Sequence, residues 1–301
     1  SSQASAITAN SAKVSGATSV TGLSDGLIED NSMYIGNDPS SSTSTAEYNV
    51  AVGTTALDAV TTGDRNVAIG YNALTANTTG GYNAANGYES MMYNTTGGYN
   101  AAVGYMSMRS NTTGGYNAAV GYMSMRSNTT GSSNTSAGYQ SLYSNTTGNY
   151  NTASGVNSLM SNTTGSQNTA SGWNSLYTNT TGDKNTAIGR NALFYNTVAD
   201  QNTALGFYAG DIITTGSNNV MVGYASDPSA VDGTNQTAIG YEATGQADNS
   251  VTLGNEDVTA VYMAEDAGAT VYAAGLNLGG TAVSATAAEL NIMDGVTATA
   301  T

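Results

Sequence analysis

The sequence predicts an all-β protein, a parallel β-solenoid (β-roll) wound in 17-residue coils. Three observations carry this. Gly36, Gly53, Gly70, Gly87, Gly104, Gly121, Gly138, Gly155, Gly172, Gly189, Gly206, Gly223 and Gly240 recur every 17 residues without a slip, and Gly254 follows after 14. Asn keeps the same register four residues earlier, from Asn49 to Asn219. A composition of 37 Gly with 2 Phe and 1 Trp opposes both helix and a conventional aromatic core. One such unit cannot bury a core alone. Identical units stacked in register can pair strands about 4.8 Å apart and satisfy each backbone from the coils above and below.

Each position of the unit then has a physical reading. Two residues before the marker glycine the side chain is small, from Ala51 and Ala68 to Ala187 and Ala204, and three after it Ala or Ser returns, from Ala56 to Ala209. These are narrow slots. Four after it stands a long aliphatic row, Leu57, Leu74, Met91, Met108, Met125, Leu142, Leu159, Leu176 and Leu193, which is the predicted core. One after it the row is mostly aromatic, Tyr71, Tyr88, Tyr105, Tyr122 and Tyr139 leading, but Val156 and Arg190 interrupt it, so partial exposure is expected. Asn-Thr-Thr-Gly, beginning at Asn77, Asn94, Asn111, Asn128, Asn145, Asn162 and Asn179, is turn chemistry, because Asn bonds its own backbone two residues on and Gly accepts positive φ. Between turns lie strand-like pieces such as Asn66 to Ile69 and Asn185 to Ile188, and 17 residues leave room for two short strands per coil. On this reading Leu142→Asp is severely destabilising, because it buries an unpaired charge, and Asn145→Ser in a turn is mild.

Stacking also accounts for the charge pattern. Like charges on one row would sit about 5 Å apart, and between Asn66 and Gly182 the only charged residues are Glu89, Arg109 and Arg126. Fourteen marked coils span thirteen steps, or about 60 Å at about 4.8 Å per step, a spacer's dimension. Residues 1–31 read as an N-terminal link or cap, 32–255 as the solenoid, and 256–301 as a non-repeat segment that closes an open strand edge.

Composition narrows the function classes. The net charge is −15, from 21 acidic against 6 basic residues, which argues against a nucleic-acid partner. With no Cys and no His, disulfides, thiolate chemistry, imidazole bases and most zinc or haem sites are excluded, and no cofactor, metal or catalytic residue is expected. No stretch approaches the roughly 20 apolar residues of a membrane helix, so membrane insertion is not expected.

Two resemblances bear on biology. Asn-Thr-Ala-Ile-Gly at 185 to 189, with Val or Leu replacing Ile elsewhere, resembles the head repeat of YadA-like trimeric autotransporter adhesins over roughly residues 32 to 255. That resemblance implies a left-handed parallel β-roll assembled as an intertwined or side-by-side homotrimer, although those heads commonly use shorter coils near the 14-residue step that separates Gly240 from Gly254. Thr286-Ala287-Ala288-Glu289-Leu290-Asn291-Ile292-Met293-Asp294-Gly295-Val296-Thr297 resembles a repeat of bacteriophage tail fibres, and Glu29 to Asp38 is similar to the stretch preceding such repeats. This implies a virion tail-fibre shaft that holds a receptor-binding tip, with other virion tail proteins and a host cell-surface polysaccharide or protein as partners. The alternatives are a bacterial surface adhesin, which would place the chain on the bacterial cell surface, and a secreted filament.

Sharper readings of single features stand beside plainer ones. Seven Asn-x-Thr matches are N-glycosylation patterns but read first as a repeated turn. Stacked Thr rows suggest ice binding, but they lie in turns and lack a Thr-x-Thr strand face. The Tyr71 to Tyr139 row could be a carbohydrate strip, and reads first as a structural ladder or intersubunit contact. Glu256-Asp257 and Glu265-Asp266 could serve a polysaccharide-cleaving tailspike, yet neighbours on a strand point to opposite faces. Asp227, Asp232 and Asp248 could hold calcium, without the nonapeptide pattern that would support it.

Overall fold

The structure, a computed structural model, describes residues 26–36, 39, 45–261, 276–278 and 281–283. It divides into two compact units, Ser1–Asp257 and Val258–Thr301. In the first, β1 (Gly26–Glu29) and β2 (Ser32–Ile35) form an antiparallel pair. Their connection is Asp30-Asn31, both at positive φ (44° and 59°), the backbone that lets a two-residue turn follow the strand twist. From β2 onward every neighbour is parallel: β3 (Val50–Val52), β4 (Val67–Ile69), β5 (Ala84–Asn86), β6 (Ala101–Val103), β7 (Ala118–Val120), β8 (Thr135–Ala137), β9 (Thr152–Ser154), β10 (Thr169–Ser171), β11 (Thr186–Ile188), β12 (Thr203–Leu205), β13 (Val220–Val222), β14 (Thr237–Ile239) and β15 (Val251–Leu253). Chain order equals spatial order throughout, the signature of a solenoid. The register is 17, as in Ala153↔Ala170, until β14 pairs β15 at 14, Thr237↔Val251. In the second unit β16 (Leu276–Leu278) pairs antiparallel with β17 (Thr281–Val283). Residues 1–25, Glu265, Asp266 and the Thr286 to Thr297 motif lie outside the described residues.

Each described coil holds one three-residue strand, where the sequence left room for two. The reason is backbone handedness. In the coil of Gly138, residues Ser133 (59°), Gln140 (49°) and Leu142 (51°) all have positive φ, and the pattern recurs coil after coil. Left-handed residues at alternate positions curl the chain into successive tight turns instead of a second extended segment. Hydrogen bonding between coils continues through these turns: Gln140 N donates to Tyr122 O at 2.9 Å, and Leu142 N to Ser158 O at 2.9 Å. The backbone is thus satisfied from both neighbours without strand geometry.

The aliphatic row from Leu57 to Leu193 is fully buried in all nine coils, against the small row of Ala51 to Ala204. Every member sits at positive φ, between 50° and 56°. For an L-residue this costs about 1–2 kcal/mol, on the scale of the roughly 1.5–3 kcal/mol that burying such a side chain supplies. After Leu193 the row gives way to Gly210, which keeps the left-handed backbone (61°), and the lost volume is refilled. A Cβ on Gly210 would meet Leu193 Cδ2 at 3.0 Å, Ile213 Cδ1 at 3.2 Å and Met221 Cγ at 3.4 Å. Met221 stands where other coils have Ala, so a large residue in the narrow slot balances a missing one in the wide slot. The marker glycines answer to a close backbone approach as well as to φ: a Cβ on Gly155 (φ 132°) would lie 2.6 Å from the Gly172 carbonyl oxygen.

Two asparagine columns run beside the apolar rows, and both are buried. In the first, Asn134 N donates to Asn117 Oδ1 at 3.0 Å, while its Nδ2 donates to Gly148 O at 2.9 Å. In the second, built from Asn-Thr-Thr-Gly, Asn145 Nδ2 donates to Asn128 Oδ1 (2.7 Å) and Gly148 O (3.0 Å), and Asn145 Oδ1 accepts from Asn162 Nδ2 (2.9 Å). The sequence expectation that Asn145→Ser is mild is therefore corrected: the turn is there, but its asparagine points inward. Buried amides also leave no room for a glycan on the folded coils.

Candidate functional surface

Because alternate strand residues face opposite ways, the residues flanking the buried Ala of each strand point outward. The row just before the marker glycine is apolar and exposed at Ile69, Val103, Val120, Ile188, Leu205, Ile239 and Leu253. It turns small or polar at Asn86, Ala137, Ser154 and Ser171. One residue beyond the glycine, Tyr71, Tyr88, Tyr105, Tyr122 and Tyr139 form a continuous half-exposed stack with centroids 5.1–5.3 Å apart. Stacked rings cover one another's faces, so this column offers a ligand mainly edges and hydroxyls, which weakens the carbohydrate-strip reading there. Arg190 continues the column, its guanidinium 4.2 Å from the Trp173 centroid and 5.3 Å from that of Phe207.

A second aromatic column, five residues before the marker glycine, escaped the sequence reading although its period is the same. Tyr82, Tyr99 and Tyr116 stack at 4.7 and 5.0 Å. Below them Arg65 lies between two rings, 5.1 Å from Tyr48 and 5.3 Å from Tyr82. Above them Ser133 takes the place of a ring, and the tyrosines on either side are unusually open: Tyr116 is 67% and Tyr150 65% exposed, against 47% for Tyr82 and 53% for Tyr99. Thr62, Thr79, Thr96 and Thr113, with Gly81, Gly98 and Gly115, complete a groove of about 520 Å³ along this column.

Charged groups are few and mostly held. Arg109 Nε donates to nearly buried Glu89 at 2.5 Å, and this bond raises the arginine pKa. Asp227 takes a place in the row that Leu193 occupies earlier, where burial first and the charge of Asp211 second push its carboxyl up to about 6. Asp211 is itself raised by burial. Asp248 accepts from Thr234 N (2.7 Å) and Gln236 Nε2 (3.0 Å), which lowers its pKa. Asp227, Asp232 and Asp248 do not form a metal cage: among the described residues, no three His, Cys, Asp or Glu side chains gather in a way that could hold an ion. Glu256 and Asp257 line an open cleft with Glu242 at the last coil. Among the described residues no helix is long and apolar enough to cross a membrane.

No family model, curated protein or solved structure matches this chain. What the geometry defines is a class of protein: a stacked-coil parallel β-solenoid, with amide and aliphatic columns inside and aromatic, hydroxyl and apolar columns outside.

Proposed function

We propose that the chain is the structural shaft of a bacteriophage tail fibre, a homotrimer that displays a receptor-binding tip for attachment to the host. The single observation that carries this reading is the uninterrupted stack of fourteen parallel strands, whose interior repeats one buried aliphatic row from Leu57 to Leu193. Such a stack is a stiff spacer of about 60 Å, and its work is mechanical rather than catalytic. The tail-fibre-like motif at Thr286 to Thr297 supports the virion setting. The exposed aliphatic pairs Val103 and Val120, Ile188 and Leu205, and Ile239 and Leu253 on one face support self-association, because exposed apolar patches mark protein contacts. Second and third copies of the same chain suit that face, since identical columns repeat at one spacing.

Light scattering on the purified chain tests the assembly. A trimer has a mass of about 90 kDa, three times 30.3 kDa, and a monomer at 30.3 kDa would refute it. Incubation with host envelope polysaccharide tests the mechanical role, since new reducing ends would make the protein a tailspike enzyme.

A further inference from the structure

Six residues before the marker glycine runs a row of side-chain oxygens, most of which accept a hydrogen bond from the backbone N–H of the equivalent residue one coil earlier; Thr234, whose hydroxyl donates to Asp232 O, is an exception. Asp64 Oδ1 accepts from Glu47 N at 2.8 Å, Ser132 Oγ from Gly115 N at 3.1 Å, Asn149 Oδ1 from Ser132 N at 2.8 Å and Asp183 Oδ1 from Ser166 N at 2.6 Å. Between Asp64 and Ser132 the row is Gly81, Gly98 and Gly115. Consequently the N–H groups of Asp64, Gly81 and Gly98 meet no acceptor among the described residues. A Cβ placed on Gly98 would lie 2.9 Å from Gly81 O and 3.7 Å from Gly81 N, so a side chain there reaches the earlier coil but needs a small backbone shift to fit.

These three donors open on the groove described above, one coil step apart, with Tyr82, Tyr99 and Tyr116 along one side and the exposed Thr79, Thr96 and Thr113 along the other. At most other coils of the row the protein fills the same position with its own oxygen. We propose that the groove binds an extended neutral polysaccharide lying along the solenoid axis, whose oxygens accept from the N–H groups of Asp64, Gly81 and Gly98. Three features select this ligand. A pyranose residue in an extended chain advances by about one coil step and carries oxygens on both edges, so even where alternate residues are turned over each sugar brings an acceptor to its donor. An extended peptide does not match, because its carbonyls on one side recur only about every 6.7 Å, two residues at about 3.3 Å each. The net charge of −15, with the Asp64 carboxylate at one end of the groove, disfavours polyanions. Threonine and tyrosine hydroxyls supply further donors and acceptors. Such a groove would serve a shaft, an adhesin or a free filament alike.

Titration calorimetry on the full chain with cellohexaose and mannohexaose as neutral probes and hexagalacturonate as the anionic one tests the assignment. Saturable binding of a neutral oligomer is expected. Gly98→Ser, which supplies the missing oxygen as Ser132 does, should weaken it at least tenfold in protein that a cooperative melting transition shows to be folded. Thr96→Ala, on an exposed side chain, should weaken it several-fold and carries the test if Gly98→Ser does not fold. Absence of binding by both neutral oligomers, wild-type affinity in folded Gly98→Ser (or in Thr96→Ala if Gly98→Ser does not fold), or preference for hexagalacturonate would each overturn the proposal.

Discussion

Replacing Asn145 with alanine probes whether the inward-facing asparagine column holds the coils together. Asn145 takes part in three side-chain hydrogen bonds, two as donor and one as acceptor, all buried. At about 1 kcal/mol net for each bond, their loss costs about 3 kcal/mol, and the stranded Asn128 oxygen adds to it, while Gly148 O keeps Asn134 Nδ2 and Asn162 Nδ2 keeps Gly165 O. That equals the lower part of the range of about 2–5 kcal/mol for truncating buried Leu142 to alanine. In a solenoid each coil contacts only its neighbours, so the damage is local and a single global melting temperature understates it. The suitable assay is hydrogen exchange followed by mass spectrometry over residues 128–162. A loss of about 3 kcal/mol raises the local opening constant about 100-fold, while exposed Thr147→Ala changes it little. Equal protection in the two variants would show that the column contributes nothing and that the coils are held by the aliphatic row alone. Asn145→Ser, expected from sequence to be mild, should behave like Asn145→Ala, because a serine hydroxyl is too short to span Asn128 and Gly148 together.

Three other outcomes follow from the same geometry. Gly155→Ala should break the stack into separately melting halves, since its Cβ would lie 2.6 Å from a backbone oxygen of the next coil; a single unshifted calorimetric transition would contradict this. Ser133→Tyr should restore the missing ring between Tyr116 and Tyr150 and stabilise by about 0.5–1.5 kcal/mol, read as an upward shift in denaturant midpoint; a downward shift would show that the gap is sterically closed. Asp227 has a folded pKa raised to about 6 from an ordinary 3.8, so the folded state binds its proton more tightly than the unfolded state. Its contribution to stability therefore grows as pH falls through about 6 and levels off below about 3.8, with raised Asp211 acting in the same sense and lowered Asp248 opposing. Melting temperatures of wild type and Asp227→Asn compared between pH 7 and 4 should show the steeper acid-side gain in wild type, and parallel curves would refute it.

The coil length, the strand position, the small and aliphatic rows and the Tyr71 to Tyr139 column were all legible in the amino-acid sequence. In a solenoid the neighbour in space is the residue one period away in the chain, so periodicity reports packing directly. The Tyr82 to Tyr116 column and the oxygen row broken at Gly81, Gly98 and Gly115 carry the same period and were open to the same reading. What only the tertiary structure decided is the direction each row faces. Asn145 and Thr147 repeat equally well, yet one is buried and the other exposed, because the chain curls through a tight turn after left-handed Leu142. That same curl leaves each coil one strand and holds Leu142 in a backbone region that leucine seldom enters. It also lets Met221 and Ile213 fill the space beside Gly210. A repeat length specifies which residues share a column; the path of the backbone through each coil decides whether that column meets the core or the solvent.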